Sequence, residues 1–233
     1  MPTTREFYGG IDPRALPAYP LAEAARYLRL APATLRSWVA GRAYPRRDGT
    51  GHFRPLIRPP HRGNAQLSFW NLIEAHVLRA LRTEHGVSIK AVRTALRFAE
   101  EKLGIEQLLL DPALRTAAGE LFLDKYGALL SLSRSGQLAM RMVFEEHLRR
   151  VEWDDRVPIR LFPFLRGDGI AATRPIVIDP LIAFGRPVVA RRGVSTAAIS
   201  DRIDAGESPE DVARDYDLDT REVEEAVVYE RAA

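Results

Sequence analysis

Between Arg26 and Arg62 the chain carries nine arginines (Arg26, Arg29, Arg36, Arg42, Arg46, Arg47, Arg54, Arg58 and Arg62) against one acid, Asp48. A solvated surface normally mixes signs. A one-sided run of guanidinium groups attracts phosphate through counterion release and can bond it in a two-pronged way, so double-stranded DNA is the natural ligand. The other end inverts the sign. From Asp201 to Ala233 there are twelve acids (Asp201, Asp204, Glu207, Glu210, Asp211, Asp215, Asp217, Asp219, Glu222, Glu224, Glu225 and Glu230) against Arg202, Arg214, Arg221 and Arg231. Such a segment repels phosphate and suits a protein partner. Other groups with chemical potential lack companions. Glu145-Glu146-His147 and Trp153-Asp154-Asp155 have no residues at ligand or acid–base spacing and read as solvated helix faces. Gly167-Asp168-Gly169 is too short to cradle a phosphate. With no cysteine, thiolate nucleophiles, disulfides and thiolate metal sites are excluded. The expectation is a protein that is not an enzyme and needs no cofactor.

The elements that must position the arginines start at Tyr19. Leu21, Ala24, Ala25 and Leu28 make one apolar helical face, and Glu23, Arg26 and Arg29 point outward. Leu30-Ala31-Pro32 stops that helix, and proline suits the first turn of a second one. In the second helix Leu35, Trp38 and Val39 face inward, leaving Thr34, Arg36, Ser37 and Arg42 for an anionic ligand. This is the outline of a helix-turn-helix. The stretch 43–58, with Asp48-Gly49 as its turn, predicts a β-hairpin wing bearing Arg46, Arg47, Arg54 and Arg58. Ser68 is expected to cap a helix from Phe69 to about Arg82, with one core-facing stripe and His76 as a core histidine. Ser88 and Gly104 bracket a further helix from Ile89 to Leu103.

Beyond Ile105 the period changes. Short strands are expected at 121–123, 128–133 and 137–142, a helix from Val143 to about Trp153, and strands at 159–162 and 175–178. Near the end, a helix over Thr196–Ala205 precedes one started by Ser208-Pro209, which ends at Tyr216. A last helix begins at Asp219 or Thr220 and carries Val223, Ala226, Val227 and Tyr229. The fold class is therefore mainly α: an N-terminal winged helix-turn-helix (19–104) after an irregular lead-in (1–18), a small α+β connector (105–173), and a C-terminal helix-turn-helix domain (174–233). A chain of 233 residues, 46% hydrophobic and 28% charged, suffices for two small cores. Without an apolar run of about 18 residues or a signal segment, a cytoplasmic location away from membranes is expected.

Two resemblances sharpen this reading. The segment TLRSW after a proline turn, the arginine-rich wing and the helix pair LSFWNLIEAHVLRALRTEHGVSIKAVRTAL resemble the winged-helix reading head of MerR-type transcription regulators, over about Tyr19–Leu103. The resemblance implies that the helix near Ala33 enters the major groove and that wing arginines meet phosphate, with Thr34, Arg36 and Arg54 in those roles. The wing here is longer, with Pro55, Pro59 and Pro60, and no long coiled coil or cysteine ligands follow. The segment from about Arg174, with GRPVV and AGESPEDV, resembles a short domain of bacterial antitoxins, although Arg191-Arg192-Gly193 replaces the usual Gly-Thr-Arg. A MerR-like head joined to this tail is similar to the larger VapB-type antitoxins. These are encoded with a small PIN-type, VapC-like ribonuclease toxin that they block while repressing the shared promoter.

The resemblance implies an operator-binding homodimer that forms a larger complex with the toxin. Arg186, Arg191, Arg192, Glu222, Glu225 and Tyr229 are the expected toxin contacts. The alternative is a stand-alone MerR-like regulator whose connector binds a small ligand.

Overall fold

The computed structural model describes residues 10–46, 49–61, 66–83, 89–103, 107–110, 149–154, 157–163 and 174–231. The expected strands between 121 and 142, Glu145–His147, Ser88, Gly104 and the 167–169 loop lie outside these residues, as do Arg47 and Arg62.

The lead-in ends in a short strand, β1 (Tyr19–Pro20), paired antiparallel with β4 (Gln66–Leu67). Helices α1 (Leu21–Tyr27) and α2 (Pro32–Ala40) follow. The turn between them is a Schellman closure: the Leu30 amide donates to the Ala25 carbonyl at 2.8 Å and the Arg29 amide to that of Arg26 at 3.0 Å. The left-handed position, usually glycine, is Arg29 with φ 52°. Its guanidinium lies 5.8 Å from the ring centre of Tyr229, a cation–π contact that offsets part of the strain.

A hairpin wing forms, from β2 (Arg42–Arg46) and β3 (Gly49–Phe53), but it ends earlier than the expected 43–58, so Arg54 and Arg58 follow the second strand and do not lie within it. Gly41 joins it to α2 at φ 76°, where an added Cβ would sit 2.2 Å from the Phe53 carbonyl oxygen, so no side chain fits. The base of the wing then caps α2, because the Leu56 and Ile57 amides both donate to the Trp38 carbonyl, at 2.7 and 3.1 Å.

Helix α3 (Phe69–Thr83) departs from expectation. It is not a one-sided amphipathic helix, for every residue from Asn71 to Leu78 is buried. It is the central post of the head, with β1, the wing base and later segments packed around it. Its start is a reciprocal cap in which the Ser68 hydroxyl accepts from the Asn71 backbone amide at 3.2 Å and the Asn71 side-chain Oδ1 accepts from the Ser68 backbone amide at 3.1 Å. Helix α4 (Ile89–Leu103) has the expected bounds.

In the connector, the expected helix from Val143 lies outside the described residues up to 148 and is helical at Arg149, but it does not reach Trp153. Val151–Asp154 is strand β5, paired with β6 (Val157–Leu161) in a hairpin. Trp153-Asp154 thus belongs to a strand, not to a solvated helix face. Leu161 and Ile178 exchange backbone hydrogen bonds of 3.0 and 2.8 Å, and both, with Val151, enter the head's core.

The tail folds around β7 (Ile176–Val177), β8 (Val188–Val189) and β9 (Val194–Ser195), followed by α5 (Thr196–Asp204), α6 (Pro209–Tyr216) and α7 (Thr220–Arg231). Ser195 and Ser208 cap α5 and α6 with their hydroxyls. A second core gathers Ile176, Val189, Ile199, Val212, Val223, Ala226 and Tyr229. Between β7 and β8, Ala183, Phe184 and Gly185 all take positive φ, at 47°, 56° and 77°. For the two non-glycine residues this costs roughly 1–2 kcal/mol each. Among the described residues no helix is long and apolar enough to cross a membrane.

Candidate nucleic-acid interface and partner surface

Leu35, Trp38 and Val39 turn one face of α2 into the core and leave Ala31, Pro32, Ala33 and Arg36 exposed at its N-terminal half. Thr34 and Ser37 are half-buried, and the Ser37 hydroxyl donates to the Thr34 carbonyl at 2.8 Å, so its proton is used within the helix. Arg36, Arg42 and Arg54 are exposed without an ion pair among the described residues. Arg46 gives its backbone to β2 opposite Gly49. The wing is stiffened by Tyr44 stacked on Phe53 with ring centres 4.1 Å apart, and Arg93 of α4 lies 5.1 Å over Phe53 while donating to the Arg54 carbonyl.

Three members of the arginine run already have partners within the chain. Arg58 is bonded to both Glu100 carboxylate oxygens, at 2.9 and 3.2 Å. This competes with its expected phosphate contact. Arg26 pairs with Glu230 of α7, and Arg29 packs on Tyr229.

The tail residues resolve likewise. The Tyr229 hydroxyl donates to the Tyr27 carbonyl at 3.1 Å and the side chain has no exposed surface; burial raises its pKa above the ordinary phenol value. Tyr229 is therefore corrected from partner contact to core residue, since no incoming chain can reach it. Arg191 and Glu222 form a bidentate pair, its shortest contact 2.8 Å, and this bond holds the Glu222 carboxyl below the usual range. Arg192 pairs with Asp217, and Glu225 with Arg221 at 3.2 Å. These four lie at the surface, partly neutralised by neighbours. Arg186 is exposed without such a neighbour.

Two features escape a reading of the sequence. The first is the docking of the tail on the head, where Tyr229 and Glu230 meet α1 and Gly185 lies against Tyr19 of β1, an added Cβ there falling 2.2 Å from the Tyr19 hydroxyl. The second is a groove of about 780 Å³ between the wing base and α4, with Arg54, Arg58, Arg97 and Glu101 along it. Glu74 of α3 reaches its floor, and burial pushes its carboxyl up to about 7, against the lowering effect of the Asn71 amide at 2.9 Å and of Arg58. An acid inside the apolar run Leu72–Leu78 was the available signal for it.

Two family models match separate stretches of the chain. Residues 17–96 match a family described as "Putative DNA-binding HTH domain", and residues 176–229 one described as "Protein of unknown function (DUF433)". The crystal structure of Rv2018 from Mycobacterium tuberculosis matches with a TM-score of 0.66 and 26% identity, covering 91% of this chain and 98% of that one. The uncharacterized protein Rv2308 of the same organism is 26% identical, over 91% of this chain and 89% of its own length. A further M. tuberculosis relative, named "Putative antitoxin VapB45", is 30% identical over 91% of this chain and 93% of its own. A DNA-binding helix-turn-helix head, a docked tail and identity along nearly the whole length lead to one conclusion: the chain belongs to the family of VapB45, with an antitoxin or DNA-binding role.

Proposed function

We propose that the chain is the antitoxin of a type II toxin–antitoxin pair, that it binds and inhibits a PIN-type ribonuclease, and that as a homodimer it represses their shared promoter through a MerR-like head. The observation that carries this reading is the alignment with a protein named as an antitoxin across head, connector and tail together. In support, α2 and the wing expose Arg36, Arg42 and Arg54 on the head, and the tail offers Arg186 and the partly neutralised Arg191, Arg192, Glu222 and Glu225. Two-fold operators pair with two-fold proteins. The test is growth of cells expressing the neighbouring gene with and without this chain, with promoter occupancy measured in parallel. Rescue and occupancy together support the reading; a neighbouring product that is harmless alone overturns it.

Truncation at Arg174 is a poor version of that test. It strips Glu230 from Arg26 and uncovers Tyr27, so the head loses packing as well.

One observation favours the second reading, a stand-alone regulator with a small ligand. It is the groove over Glu74, which lies in the head and not in the connector. Ligand-dependent operator affinity in a chain with no protein companion would support it.

A further inference from the structure

The turn between β7 and β8 is held in a conformation its sequence disfavours. Ala183 and Phe184 both occupy the left-handed region, which alanine and phenylalanine rarely adopt. Contacts on both sides impose it. Asp179 accepts from the Leu181 amide at 2.8 Å and from the Arg160 guanidinium at 2.7 Å, and Gly185 is pressed against Tyr19. The product of this bracing is an aromatic ring turned outward: Phe184 is 89% exposed, with Leu181 beside it at 51%. Scattered exposed apolar residues are ordinary on a protein surface, but two on one braced turn form a preorganised wedge.

We infer that Phe184 and Leu181 form an apolar wedge that enters a pocket on the protein partner, with Arg186 meeting a carboxylate at the pocket's rim. The inference rests on the toxin-partner reading above and names the part of the tail that makes the contact. Charge and area select the occupant. From Leu181 to Val189 the chain has Arg186 and no acid. The side chains of Phe184 and Leu181 offer roughly 250–300 Å² together, well below the ~800 Å² each copy contributes to a stable dimer. A flat contact with a second copy is thus too small, whereas a wedge seated in a concave pocket is the form that binding hot spots take.

The test uses the full chain and its companion, the latter recovered as a stoichiometric complex with the wild-type chain from the native host and then purified alone. Phe184→Ala is expected to weaken companion binding about 30-fold or more and Leu181→Ala about 5- to 10-fold. Both should leave melting temperature and operator affinity unchanged. A photo-crosslinking phenylalanine at position 184 should label the companion. Equal affinity of Phe184→Ala and wild type for a companion that does bind overturns the wedge and leaves the antitoxin reading standing. Crosslinking to a second copy of the chain, or conversion of a dimer to a monomer by Phe184→Ala, also overturns it. If no companion binds the wild-type chain, both fall together.

Discussion

The head and the tail build the same motif and use it oppositely. In each, a buried alanine (Ala25, Ala213) is followed four residues later by a left-handed non-glycine residue (Arg29, Asp217). A leucine comes next, Leu30 or Leu218, whose amide closes the turn on that alanine's carbonyl, at 2.8 and 2.9 Å. Seven residues after the alanine the second helix begins, at Pro32 and at Thr220. Its buried positions also coincide: Leu35, Trp38 and Val39 in the head match Val223, Ala226 and Val227 in the tail. The outward positions do not. Thr34, Arg36 and Ser37 are answered by Glu222, Glu224 and Glu225. One backbone scaffold thus presents a surface compatible with phosphate in the head and one that repels it in the tail. The tail's second helix is, in addition, seated on the head's first.

The strongest way to break this pairing is Tyr229→Ala. Removing a fully buried aromatic costs about 3–5 kcal/mol. The head should loosen with the tail, read as a melting temperature roughly 10 °C lower and faster amide exchange in α1. Exchange confined to the tail would refute the coupling.

Titration separates the halves with opposite signs. The Glu74 carboxyl keeps its proton up to about 7 when folded, against an ordinary value of 4.5. Between those values the folded state binds more protons, so head stability falls as pH rises, by ~1.4 kcal/mol per unit across that window. In the tail, Glu222 is held below its ordinary value by Arg191, so its contribution is lost as pH falls. Thermal melts from about pH 2 to pH 8 check both, the Glu222 loss falling below 4.5. Glu74→Gln should flatten the basic limb, and Arg191→Ala the acidic one.

Next in size, Gly41→Ala forces a side chain into a backbone region open to glycine and against the Phe53 carbonyl, at a cost of about 2–3 kcal/mol. It should displace the wing and weaken operator binding while leaving the tail's exchange rates unchanged. The smallest effects discriminate best among the arginines. Arg36→Ala and Arg54→Ala should each weaken operator binding by about 1 kcal/mol and reduce its salt slope by ~1, without changing the melting temperature. Arg26→Ala should do the reverse, because Arg26 faces Glu230. Titration of binding against salt distinguishes them.

Local signals made much of this legible. Pro32, Ser68, Ser208 and Pro209 mark helix starts with short-range chemistry, and the apolar spacing of Leu35, Trp38 and Val39 identifies their core face. What escaped depends on contacts far apart in the chain. Nothing near Tyr229 shows that it meets Tyr27 rather than a partner, and nothing near Arg58 indicates Glu100. The all-round burial of α3 was hidden because Asn71 and Glu74 look like a polar face until the segments covering them are in place, whereas His76 was already read as a core residue. Val151–Asp154 became a strand because 157–161 pairs with it, a tertiary preference that overrides local helix pattern.

The hydrogen bond from Tyr229 to Tyr27 spans 202 residues of chain. On the ribosome, at roughly 5–20 residues per second, α1 therefore waits on the order of ten seconds or more for the ring that covers it. The head is made first but its packing is completed only when the tail has been synthesised, so under the function proposed above a whole chain, and not its first half, is what can occupy an operator.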